Sequence, residues 1–144
     1  MLTHGDILYR LAFYLGKTPW PKVEFCTTTG DRVDIVRYRR RGHRREPTVE
    51  LYEIKTLADK WSGLRDAIGQ LQKYAASIKL SNEFKDCKYY VMNLVIGEDL
   101  WREIEKHYLN ELMGLLNVAG IGLLVVYEDG KVEQKAPYRI KSYI

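Results

Sequence analysis

Glu53-Ile54-Lys55 closes the apolar run Val49-Glu50-Leu51-Tyr52, and Asp34 closes the upstream segment Gly30-Asp31-Arg32-Val33. Side chains alternate across a strand, so Glu53 and Lys55 share one face while Ile54 takes the other. A carboxylate and an ammonium on one strand face are a costly choice for a core. They suit a place where a divalent cation and an attacking water are held together. Asp34, in a second strand-like segment over residues 32–38, supplies another carboxylate, and the main-chain carbonyl of Ile54 a further oxygen. Such an oxygen-only set suits a hard cation such as Mg²⁺, with Mn²⁺ able to substitute, that keeps several waters and leaves room for a phosphate. Lys55 beside the ion would orient the attacking water and offset charge on pentavalent phosphorus, and the ion would lower the pKa of that water. The structural alternative is an exposed cross-strand ion pair, worth only a few tenths of a kcal/mol.

The segment after Lys55 changes period. Leu57, Trp61, Leu64, Ile68, Leu71, Ala75 and Ile78 recur at spacings of three and four, the stripe of a helix laid against a sheet. Gln70 and Tyr74 flank that stripe at i,i+4, one above the other, and Asp66 extends the row by a turn. A helix that starts so soon after Lys55 packs its N-terminal half beside the carboxylates. Gln70 and Tyr74 are therefore placed to reach a nucleotide's phosphate or the cation's waters.

Basic residues are concentrated upstream. Arg37, Arg39, Arg40, Arg41, Arg44 and Arg45 hold 6 of the 23 Lys and Arg residues, with His43 among them and no acid before Glu46, although the net charge is only +4. Guanidinium groups suit bidentate contact with phosphate oxygens, so this run is a candidate phosphate-contacting loop, with a solvated loop between two strands as the alternative and His43 as a phosphate neighbour or bystander. His107, on a late helix, is read as uninvolved. No apolar run is long enough to span a membrane, and residues 1–6 lack the basic-then-apolar order of a signal peptide. Cys26 and Cys87 have no metal-binding spacing and are expected to be buried thiols, which makes a cytoplasmic (or, for a virus, host-cytoplasmic) location the default.

The elements that must position these residues read as α-β-β-β-α-β-α-β with a short strand at the end. A first helix is expected over residues 6–15, with strands over 22–27, 32–38 and 48–55, the last two joined by the arginine-rich connection. The second helix follows from Leu57. A continuously apolar strand over 88–96 then suits the middle of a sheet. A helix over 100–116, interrupted near Gly114, precedes a strand over 122–127, and Glu128-Asp129-Gly130 turns into a strand over 131–135. One domain over residues 1–144, α/β, with a mixed central sheet and helices on both faces, is the expected architecture.

Asp34, Glu53-x-Lys55 and Gln70-x-x-x-Tyr74 together resemble the PD-(D/E)xK nuclease superfamily, the restriction-endonuclease-like fold. The Gln-x-x-x-Tyr element is similar to that of its RecB-type and Mrr-like branches. The resemblance covers residues 1–96, an αβββαβ core, and implies a metal-dependent phosphodiesterase acting on DNA. It further implies Asp34 and Glu53 as ligands and Lys55 as the catalytic lysine. Val33 stands where the name-giving proline would be, a position with no chemical role. Glu24, His4 and Asp6 are the candidates for the additional acid or histidine that many members carry. The size is similar to that of archaeal junction resolvases and compact nucleases of archaeal viruses, which implies structure- or end-directed cutting. The alternatives are a catalytically inactive DNA-binding module of the same fold and a subunit whose arginine loop takes an acidic protein. Leu109, Leu112, Met113, Leu115, Leu116, Val118 and Ile121 exceed what one helix and strand need, and part of that surplus is expected to form an isologous homodimer face, with a simple core role as the alternative.

Overall fold

The computed structural model describes residues 1–16, 21–41 and 45–143. His43 and Arg44 therefore lie outside the described residues, as does the side chain of Arg41. The chain runs through α1 (His4–Leu15), β1 (Lys22–Cys26), β2 (Arg32–Arg41), β3 (Glu46–Lys55), α2 (Lys60–Ile78), β4 (Tyr89–Gly97), α3 (Glu98–His107), α4 (Leu109–Ala119), β5 (Gly122–Val126), β6 (Val132–Ala136) and β7 (Lys141–Ser142). A short 3-10 turn, Leu57–Asp59, leads into α2. β7 has no counterpart in the sequence reading, because two residues carry no periodicity.

The strands form one seven-stranded sheet in the order β1-β2-β3-β4-β5-β6, with β7 added to β4. β1–β2, β2–β3 and β5–β6 are antiparallel, and β3–β4 and β4–β5 are parallel. The sheet is thus mixed, and helices cover both faces. Val49, Leu51, Leu64, Leu71, Met92, Leu94, Leu112 and Leu116 pack between the sheet and α2, α3 and α4. Ile7 and Leu11 of α1 pack against Ile35, Tyr52, Ile54, Val95 and Leu124 on the opposite face. β3 and β4 lie in the middle of the sheet, so the segment ending in Lys55 is held from both sides. In β4, every residue from Val91 to Gly97 is buried.

Three expectations need correction. The late helix breaks at Tyr108 (φ −133°, ψ 9°), not at Gly114, which lies inside α4. Tyr108 stacks on Trp61, centroids 4.7 Å apart and planes 4° from parallel, so a tertiary contact sets the break. Helix-interior glycine costs only about 1 kcal/mol against alanine, which packing readily overrides. Second, the apolar surplus after Leu109 lies largely inside the core: Leu112, Leu116 and Ile121 are buried, and only Leu115 and Val118 of the seven are exposed. Third, the thiols are free but differ, with Cys26 exposed and Cys87 buried.

Candidate active site

The β2–β3 ladder pairs Arg41 with Glu46 and continues to Ile35 opposite Tyr52, where it stops. The next pair would be Asp34 with Glu53. Instead, the Asp34 carboxylate takes the place of a ladder acceptor: Oδ2 receives the Ile54 N–H at 2.8 Å. The alternation of β2 also slips here, since Val33 and Val36 pack on the α2 face whereas Ile35 packs on the α1 face. The β1–β2 ladder skips the same residue. Glu24, opposite Asp34 in that register, has φ 51° and is exposed. Backbone outliers of this kind persist where the surroundings over-determine them, and they concentrate at functional sites.

Two buried carboxylates thereby meet, Asp34 at 7% and Glu53 at 5% exposure. Burial, then the hydrogen bond and charge of Asp34, push the Glu53 carboxyl up to about 9, although Lys55 and Tyr74 pull it down. Lys55 Nζ stands 3.9 Å from Glu53 Oε2. His4 Nε2 lies 3.2 Å from Asp34 Oδ1, at the N-terminus of α1. Burial and the charges of Glu53 and Asp34 raise the Tyr74 hydroxyl to about 12. One turn earlier on α2, Gln70 Oε1 is buried with no hydrogen-bond partner among the described residues.

The structure thus brings Asp34, Glu53, Lys55 and Tyr74 together, adds His4, and sets Gln70 one turn along the same helix row. It does not bring in Asp6, whose carboxylate accepts the Thr3 N–H at 3.0 Å while Thr3 Oγ1 accepts the Asp6 N–H at 3.1 Å. That reciprocal pair is a helix cap, and it holds the Asp6 carboxyl below its ordinary value. Glu24 has no contact that ties it to the pair. Among the described residues no three His, Cys, Asp or Glu side chains are grouped to hold an ion. A cation here would rest on two carboxylates, the Ile54 carbonyl and water, a donor set that suits Mg²⁺. Two carboxylates buried side by side mark a place where positive charge is wanted, and the orphaned Gln70 acceptor fits a hydrated ion.

The arginines divide. Arg37 is 6% exposed, donates from Nε to Glu50 Oε1 at 2.8 Å and from Nη1 to the Leu15 carbonyl at 2.6 Å, and so ties β2 to the end of α1. Its assignment to DNA contact is corrected: the guanidinium is buried and tied to Glu50 and Leu15, away from the surface a phosphate would reach. Arg40 and Arg45 are exposed, and the Arg39 side chain is 41% exposed, 3.8 Å from Glu50. These cations sit at the far end of the hairpin from the carboxylates. Six residues separate Asp34 from Arg40, roughly 20 Å at about 3.3 Å per residue. Adjacency in sequence had suggested a single patch; the extended strand separates the two ends.

Sequence reading also missed Tyr108, which lies 47 positions beyond its stacking partner Trp61. Only the unexplained apolar-aromatic content near the α3–α4 junction hinted at it. The described residues include no helix long and apolar enough to cross a membrane. No family matches the chain, nor does any characterised protein or solved structure.

Proposed function

We propose that this chain is a Mg²⁺-dependent DNA nuclease built on a restriction-endonuclease-like core, with Mn²⁺ able to substitute. The observation that carries the reading is the buried Asp34–Glu53 pair at the splayed end of β2 and β3, with Lys55 3.9 Å from Glu53. The element order α1-β1-β2-β3-α2-β4 and the mixed sheet support it. Asp34, Glu53 and the Ile54 carbonyl would hold the ion. When bound, the ion would supply a Lewis acid and lower the pKa of an attacking water. Lys55 places an ammonium beside Glu53, where its N–H donors can orient an attacking water towards phosphorus. Tyr74 and Gln70 line the same side on α2, where a hydroxyl and an amide can hold a phosphate oxygen or its water. His4 fixes the outer oxygen of Asp34, which leaves the inner one on the Ile54 N–H. The exposed Arg39, Arg40 and Arg45 offer phosphate contacts at a distance from the cut.

The test is a panel of linear, nicked, branched and single-stranded DNAs with Mg²⁺ or Mn²⁺. Cleavage lost in Glu53→Gln and in Lys55→Ala, with DNA binding retained in both, is expected. DNA bound but never cut by the unaltered protein would identify an inactive binding module instead.

A further inference from the structure

Beyond Lys55, the chain builds a second feature on the same face of the sheet. A groove of about 370 Å³ is lined by Leu57 of the 3-10 turn, by Lys60 and Trp61 from the start of α2 and by Leu100, Glu103, Ile104 and Tyr108 from α3 and its end. Trp61 and Tyr108 form the parallel stack already described. Tyr108 and Leu57 are each 37% exposed, so the pair opens to solvent and is not sealed in the core. Lys60 holds φ 60°, ψ −177°, a region that side-chain-bearing residues rarely adopt, and it brings an ammonium to the rim.

The groove lies at the same end of the sheet as the carboxylate site. β3 and β4 are parallel and Lys55 pairs with Ile96, so α2 and α3 both leave the sheet at the end where Glu53 and Lys55 stand. Leu57 follows Lys55 by two residues, which limits their Cα separation to about 7 Å. A flat aromatic platform, apolar walls and a rim where Lys60 stands with Glu103, itself paired with Lys106 at 3.8 Å, match one chemical class, an unpaired nucleobase with its phosphate. Bases stack on aromatic rings without regard to sequence, and the backbone is met by positive charge.

We propose that this groove binds an unpaired DNA base next to the scissile phosphate, stacked on the Trp61–Tyr108 pair. The inference rests on the nuclease reading and names its substrate class: DNA with a single-stranded end, flap or branch in preference to blunt duplex.

The test uses the whole protein and 2-aminopurine in the overhang of a tailed duplex, read without divalent cation so that nothing is cut. The unaltered protein and Tyr108→Phe should quench the probe and bind it alike. Tyr108→Ala should leave it bright and bind about tenfold more weakly, while blunt-duplex affinity is unchanged. Trp61→Ala repeats the test from the other ring, and melting curves show that both alanine variants fold. Equal quenching in Tyr108→Ala, or none in the unaltered protein, overturns the proposal. Because the readout needs no cleavage, a quenched probe on a protein that never cuts DNA would fault the nuclease reading and not the groove.

Discussion

Replacing Glu53 by Gln should make the protein more stable at neutral and alkaline pH in the absence of divalent cations. In the folded chain the Glu53 carboxyl is raised from 4.5 to about 9, chiefly by burial and then by Asp34. The folded state therefore keeps a proton that the unfolded state releases, and stability falls as pH rises. The contribution is whole below 4.5 and disappears as pH climbs towards 9. Each pH unit in that window costs about 1.4 kcal/mol, so pH 7 lies about 3 kcal/mol below pH 4.5 on this account. Gln keeps the shape, and its amide can donate to Asp34 as the protonated acid does, without titrating. Urea unfolding in EDTA from pH 5 to 9 should show the unaltered protein losing stability relative to Glu53→Gln, with the curves converging near pH 5. Saturating Mg²⁺ should close the gap by stabilising only the unaltered protein. Parallel pH curves for the two proteins would mean that burial and Asp34 do not raise the Glu53 carboxyl, and the site would lose its basis.

Asp34→Asn should abolish Mg²⁺ or Mn²⁺ binding by calorimetry while leaving DNA affinity intact; undiminished ion binding would break the ligand assignment. Arg39, Arg40 and Arg45 changed together to Ala should weaken binding to all DNA sequences and flatten the log-affinity against log-salt slope by about one unit per lost phosphate contact. Arg37→Ala should instead destabilise the fold by about 3 kcal/mol, because the buried Glu50 carboxylate would lose its hydrogen-bonded cation and keep the more distant Arg39, and a denaturant titration reads that loss directly. In Gly122→Ala, the new Cβ would lie 2.5 Å from Asn93 Oδ1, so a melting curve should report a loss of about 1–3 kcal/mol from overpacking.

Features that depend on local period were legible. The alternation around Glu53 and Lys55, the α2 stripe and the apolar β4 each follow from a handful of neighbouring residues, and so does the α/β character of the mixed sheet. What escaped was set by distant contacts. Arg37 looked like one of six equivalent arginines, since its buried partner Glu50 lies across a hairpin and exposure has no local signature. Asp6 looked like a possible ligand until Thr3 claimed it as a cap. Gly114 was the strongest helix breaker in its segment, yet the ring stack at Tyr108 decided the break.

The separation of about 20 Å between Asp34 and Arg40 makes the β2–β3 hairpin a ruler. A duplex rises about 3.4 Å per base pair, so DNA lying along the hairpin would meet the arginines about six base pairs from the carboxylates. Shorter flanks would dock at one end only. Trimming the flank one pair at a time should therefore produce a step in affinity near that length, and lengthening the hairpin by whole residue pairs should move the step outward by about two base pairs for every two residues added to each strand.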